Sequence, residues 1–130
     1  MEKSNFQFSA PVMLELEFST NNDFEPVEES SVDLGIQVSS RHSPIIENSA
    51  LVQLHIQIGE KNEKYPFFLN TIYQAEFCWD SDAVDGEMAE KLLSKNAVLL
   101  LMSYARPAIS TITNFSKFAS FDIPFMDLTN

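Results

Sequence analysis

The chain has 130 residues, 45% of them hydrophobic and 21% charged, a balance that excludes disorder and suits a single domain over residues 1–130 with a real core. Nineteen acidic against eight basic residues leave a formal net charge of −11, which repels phosphate backbones and argues against a nucleic-acid partner. There is no apolar run long enough for a membrane span, no signal-peptide segment in MEKSNFQFSA, and one cysteine, Cys78, so the expectation is a cytoplasmic protein without an intrachain disulfide.

The first two-thirds of the chain read as strands. In VMLELEF (residues 12–18) the even positions are apolar, while Glu15 and Glu17 fall on the other face. VDLGIQV (residues 32–38) repeats the alternation, and Val52, Leu54, Ile56 and Ile58 do so opposite Gln53, His55 and Gln57. Period-two patterning of this kind marks half-buried strands of an antiparallel sheet. A polar turn at residues 59–64 leads into a fourth segment, residues 65–79, which is aromatic on both faces and therefore predicts an internal bend or bulge. The polar connections at residues 19–31 and 39–49 carry no structural pattern.

The pattern changes after Trp79. Asp80, Asp82, Asp85 and Glu87 are helix-start chemistry, carboxylates placed to meet free backbone N–H groups. Met88, Ala89, Leu92 and Leu93 recur at helical spacing. Residues 97–102 are apolar without interruption, and Tyr104, Ala105, Ala108, Ile109 and Ile112 follow. A helix apolar all round must be covered all round, and one four-stranded sheet covers a single face, so a second copy or another large partner is expected on the other. We assign that oligomer face to Leu99, Leu100, Leu101, Tyr104, Ala105 and Ile109. Pro107 should kink this helix rather than end it, because Ala108, Ile109 and Ile112 continue the periodicity.

Catalytic chemistry is sparse. His42 reads as a loop residue and His55 as lying on the polar face of a strand, neither next to a nucleophile or carboxylate at a dyad spacing. Three glycines make no phosphate-cradling loop, and one cysteine with two isolated histidines makes no metal site. Cys78 reads as a buried small apolar residue, and Glu28-Glu29 as solvated loop charges. No enzyme activity, cofactor or metal is expected. The last quarter is different. Phe115, Phe118, Phe121 and Phe125 are mixed with Ser116, Lys117, Ser120 and Asp122, a composition difficult to bury entirely in a small domain. Exposed aromatic patches usually mean binding, so at least two of these phenylalanines are expected to contact a partner, with Trp79 as a further candidate.

Leu101-Met102-Ser103-Tyr104-Ala105-Arg106, then Ile109-Ser110, then Phe121-Asp122-Ile123-Pro124-Phe125 together resemble the C-terminal part of the SecB family of protein-export chaperones. The opening Phe6-Gln7-Phe8 and the four-strand layout extend the resemblance over nearly the whole chain. Ser103 stands where that family has proline and Pro107 where it has glutamate. The glycine-rich turn after the helix is replaced by Phe115-Ser116-Lys117-Phe118-Ala119-Ser120, and the sequence stops at Asn130, where family members usually continue into a further helix bordering the client groove. The resemblance implies an α+β fold: a four-stranded antiparallel sheet, a long kinked helix and a C-terminal extended segment. It implies a homotetramer, a dimer of dimers, that holds unfolded or non-native polypeptides without ATP through an exposed, here more open, apolar groove, in the service of protein export. On the outer sheet face, where the family contacts the translocase motor SecA, Glu15 matches an acidic contact and Leu69 an apolar one, whereas Ser19 and Thr71 replace other acids. Arg106 reads as structural, paired with a carboxylate, and Tyr104 as a packed helix residue. Two other readings remain: a SecB-like chaperone dedicated to one client, such as the antitoxin of a toxin–antitoxin system, and a non-chaperone adaptor that kept the fold.

Overall fold

The computed structural model describes residues 5–24, 35–62, 65–115 and 123. Five strands form one antiparallel sheet: β1 (Phe6–Phe8), β2 (Val12–Thr20), β3 (Ile36–His42), β4 (Ser49–Ile58) and β5 (Phe67–Trp79). Strands β1 and β2 both pair with β5, on the edge away from β4, so the sheet is four strands wide in the order β1/β2–β5–β4–β3. A single helical column follows: α1 (Gly86–Lys91), a π-helical turn (Leu92–Asn96) and α2 (Ala97–Thr113). The four-wide sheet with one long bent helix on one face is the expected α+β architecture. Of the C-terminal extended segment, Ile123 is described, and it is buried in the core.

Alternation along β4 and β5 builds that core. Val52, Leu54, Ile56 and Ile58 of β4 and Phe67, Leu69, Tyr73, Ala75, Phe77 and Trp79 of β5 all point to the helix side. Thr71 shares this face, and its hydroxyl donates to the Glu15 carbonyl at 2.9 Å, which satisfies a polar group that would otherwise be costly to bury. The anticipated bulge is present, but in β2 rather than β5. Met13 pairs with Tyr73 and Glu15 with Ile72, leaving Leu14 as the extra residue. The bulge reverses the alternation, so Leu16 and Phe18 face the helix side while Val12, opposite Gln74, is on the outer face. β5 itself runs regularly for 13 residues, because the buried face takes its odd positions and the half-exposed face its even ones.

The expected third element is displaced. β3 starts at Ile36 and runs on through Ser39, Ser40, Arg41 and His42; residues 32–34 lie outside the described set. This polar edge strand is held by its ladder to β4, and Arg41 Nε donates to Gln53 Oε1 at 2.9 Å. The connection read as unpatterned therefore contains the end of a strand and a tight turn. Ile46 and Ser49 exchange backbone hydrogen bonds of 3.0 and 3.1 Å around Glu47 and Asn48, both with positive φ, as a two-residue hairpin turn requires.

Asp85 caps the helix, its carboxylate accepting from the Met88 N–H at 2.8 Å. Ala89, Leu93, Ala97, Leu101, Ala105, Ile109 and Thr113, each four residues on from the last, are all buried. At 3.6 residues per turn, each such step over-rotates by about 40°. The wide π turn, where the Ala97 N–H reaches the Leu92 carbonyl, takes back part of that rotation and keeps the row on the sheet. The helix passes through Pro107 and continues to Thr113. Pro107 is exposed, so the Ser103 carbonyl it deprives of a donor lies on the solvent side.

Gly59 closes the β4–β5 connection with φ +72°, and a Cβ there would stand 2.4 Å from the Phe67 carbonyl oxygen. Gly59→Ala should cost at least about 1–3 kcal/mol, read as a lower urea midpoint with an unchanged slope. An unchanged midpoint would mean that the turn rearranges freely.

Candidate functional site

Helix α2 rests on β4 and β5; on the helix-side face of β2, Phe18 packs against the core while Met13 and Leu16 stay exposed. Along this strip, Phe8 is 41% exposed, Met13 and Leu16 are similarly open, and Tyr104 on the flank of α2 is 44% exposed. At one end of it the Phe8 and Tyr104 rings meet edge to face at 6.4 Å, and Phe8 also tilts against Phe77 at 6.1 Å. Burial pushes the Tyr73 phenol up from its usual range, so it remains neutral beside this surface. Among the described residues β2 has no partner on its far side, which leaves a row of backbone donors and acceptors next to the apolar strip.

The opposite face of the sheet is largely polar, with Val12, Leu51, Phe68 and Ile72 among its apolar residues. Gln53 receives the Arg41 bond and donates to Gln74 Oε1 at 2.8 Å, and His55 Nε2 meets Asn70 Oδ1. At one corner, Lys61 pairs with Glu17 and lies 5.3 Å over the Phe68 ring, beside an open hollow of about 320 Å³. His42, read as a loop residue without a carboxylate neighbour, ends β3, and its Nε2 is 3.0 Å from Glu90 Oε2, which ties the edge strand to α1. Among the described residues no group of three or more His, Cys, Asp and Glu is arranged to hold a metal.

The residues singled out from the sequence are spread over several environments. Trp79 is buried, its indole stacked under Phe6 at 5.9 Å, and so forms floor rather than surface. Phe115 lies just beyond the helix and is 83% exposed, while Phe118, Phe121 and Phe125 lie outside the described residues. Of the helix residues assigned to an oligomer face, Leu101, Ala105 and Ile109 are spent on the chain's own core. Leu99 and Tyr104 are exposed and Leu100 half-buried, so the outward face is narrower than an all-round apolar helix suggested. Two placements are corrected. Leu69 is fully buried beneath the helix, on the opposite face from Glu15, because odd positions of β5 face inward. Cys78 is exposed, because even positions face outward. The strip residues Phe8, Met13 and Leu16 were not singled out. The signal was the apolar run Val12-Met13-Leu14, which breaks the alternation where the bulge sits.

No protein-family model and no curated protein matches the sequence. Solved structures do match the fold. A SecB-like chaperone of Mycobacterium tuberculosis, in complex with a ChAD peptide from the HigA1 antitoxin, superposes with a TM-score of 0.69 at 11% identity, covering 94% of this chain and 91% of its own. A Streptococcus agalactiae protein of unknown function superposes with a TM-score of 0.50 at 10% identity, covering 92% of this chain and 97% of its own.

If the strip is surface, Met13→Ser with Leu16→Ser should alter stability by no more than about 1 kcal/mol in total. The same variant should bind markedly less of an apolar fluorescent dye. Trp79→Ala should instead cost about 3–5 kcal/mol. Comparable melting losses in the two variants would place Met13 and Leu16 in the core. The sheet order, the capped and bent helix on one face and the superposition over nearly the whole chain lead to one conclusion: this protein has the fold of a SecB-like chaperone.

Proposed function

We propose that the protein is an ATP-independent holdase, which binds unfolded or non-native polypeptides on the apolar strip of Phe8, Met13, Leu16 and Tyr104, with the exposed Phe115 as a further contact. The observation that carries this reading is the exposure of these residues, set beside an edge of β2 that is unpaired among the described residues of a SecB-like fold. An extended client lays alternate apolar side chains on the strip while its backbone pairs with the edge of β2. Binding withdraws aggregation-prone chain from solution by mass action, and holding of this kind needs no nucleotide, cofactor or catalytic group. The charge of −11 supports the reading, because mutual repulsion keeps copies with exposed apolar surface apart. We place this work in the cytoplasm, where the Cys78 thiol stays reduced.

The assembly we propose is a homotetramer, a dimer of dimers, with Leu99 and Leu100 at contacts between helices. Light scattering at micromolar concentration should then give a mass of about four chains. Leu99→Asp, which places an uncompensated charge in that contact, should lower the mass. A tetramer unaffected by Leu99→Asp would move the contact off the helix, and a stable monomer would remove the assembly.

One observation favours a narrower client range. The outer face offers Glu15 and Glu17 as its acids on β2, Glu17 is paired with Lys61, and the apolar contact ascribed to Leu69 is buried. That face is poorly suited to an export motor, so the second reading is a chaperone dedicated to one client. The mycobacterial relative, solved with an antitoxin peptide, supports it by analogy of fold. Suppression of aggregation of a reduced, unfolded protein tests the holdase reading, and its absence would leave an adaptor. Recovery of one dominant polypeptide from cell extract, rather than many, would decide for the dedicated chaperone.

A further inference from the structure

The short strand β1 occupies the best part of the apolar strip, and the way it is held differs from the rest of the sheet. β2 pairs with β5 over eight residues, whereas β1 pairs over three: Phe6 with Trp79, Gln7 with Cys78 and Phe8 with Phe77. Ser9, Ala10 and Pro11 separate the two strands, and Pro11 has no N–H to continue a ladder. Beneath β1 lie two large buried rings. Phe6 stacks on Phe77 at 5.3 Å and on Trp79 at 5.9 Å, while Phe8 bridges Phe77 and Tyr104. Ser9 forms a fixed point at the strand's C-terminal end, its N–H donating to the Glu76 carbonyl at 2.9 Å and its Oγ accepting from the Glu76 N–H at 3.0 Å.

We propose that β1 is a displaceable strap, and that the slot it fills on β5 is the docking site for an extended, non-native segment with aromatic side chains two residues apart. The argument for this occupant is on the page: Phe6-Gln7-Phe8 already sits in the slot, so it specifies the ligand. Such a ligand carries an aromatic ring, then a polar residue turned outward, then a second ring, with backbone groups to exchange with the edge of β5 beside Cys78. When β1 swings away about Ser9, it uncovers that edge and the rings of Phe77 and Trp79, in line with Met13, Leu16 and Tyr104. A three-residue strand at a sheet edge opens at far lower cost than the core, and the fraction of time it is open sets the apparent affinity for any competitor. This inference rests on the holdase reading and names the chemistry of its client.

Cys78 supplies the test. Gln7 is its register partner, and the bonds at Ser9 and from the Asp80 N–H to the Asn5 carbonyl make Gln7–Cys78 a hydrogen-bonded pair by alternation. Such pairs have Cα atoms about 5.5 Å apart, within disulfide range. In full-length Gln7→Cys, oxidation should lock the strap. The probe is a fluorescent peptide of sequence SNFQFSA, this chain's own residues 4–10. Oxidised Gln7→Cys should bind the probe at least about tenfold more weakly than its reduced form, with full recovery on reduction, because locking removes the open state. Phe6→Ser, which removes the ring stacked on Phe77 and Trp79 and so loosens the strap, should bind it more tightly than the native chain, and a peptide with both phenylalanines replaced by serine should not bind. Equal binding by the locked and reduced forms would overturn the proposal. So would a covalent dimer on oxidation, because β1 would then be pairing between copies. If the reduced protein holds unfolded clients but locking leaves that activity intact, the strap alone fails. If the reduced protein holds no client at all, the holdase reading fails with it.

Discussion

Strand β5 is the constraint on which the rest of the structure depends. It pairs along one edge with the whole of β4 and along the other with β2 and then β1, so it is buried on both edges as well as on its inner face. Every odd residue from Phe67 to Trp79 faces the helix, and that row is the floor on which α2 lies. Thirteen residues without a bulge give a floor long enough to carry the helical column, and the irregularity needed to fit the edge is placed in β2 instead. A break in β5 would shift the inner row to the outer face, whereas the bulge at Leu14 costs only the alternation of an edge strand.

Helix α2 lies over β4 and β5, and the π turn and α1 reach the edge of β3. One helix is about 10 Å across and strands are spaced about 4.8 Å apart, so a single helix shields roughly two strands. A four-wide sheet with one helix therefore leaves some inner surface open. On β3 the inner face changes along the strand, from Ile36 and Val38, which pack on the core, to Ser40 opposite Leu54 and His42 opposite Val52. β2 instead presents Met13 and Leu16, beside Phe8 of β1. The same strip would be an aggregation hazard in a neutral protein, and the outward Glu15 and Glu17 together with the net charge of −11 oppose that outcome.

The helical column contains two local departures from α-helix geometry. The π turn re-phases a row of buried residues spaced by four, and Pro107 removes one bond on the solvent side, where the released carbonyl is hydrated at little cost. With the π turn in place, Ala97, Leu101, Ala105 and Ile109 all stay buried.

The sequence by itself determined the elements whose periodicity is strong and whose environment is uniform. The inward row of β4, the Asp85 cap, the long helix running through Pro107 and the α+β order could all be read from alternation, capping chemistry and 3.6-residue spacing, because each is a local property. The polar strand Ser39–His42 could not, since its partner in β4 rather than its own side chains holds it extended. Nor could the faces of Leu69 and Cys78, because a strand with bulky residues on both sides carries no label for which side the helix will take. The division of the helix into an inner and an outer face was likewise decided by packing. A run apolar all round permits several orientations, and contact with β4 and β5 selected the one that buries Leu101, Ala105 and Ile109 and exposes Leu99 and Tyr104. The apolar strip is a consequence of that choice: it exists where the tertiary structure stops covering apolar residues, and a pattern along one dimension does not record where coverage ends.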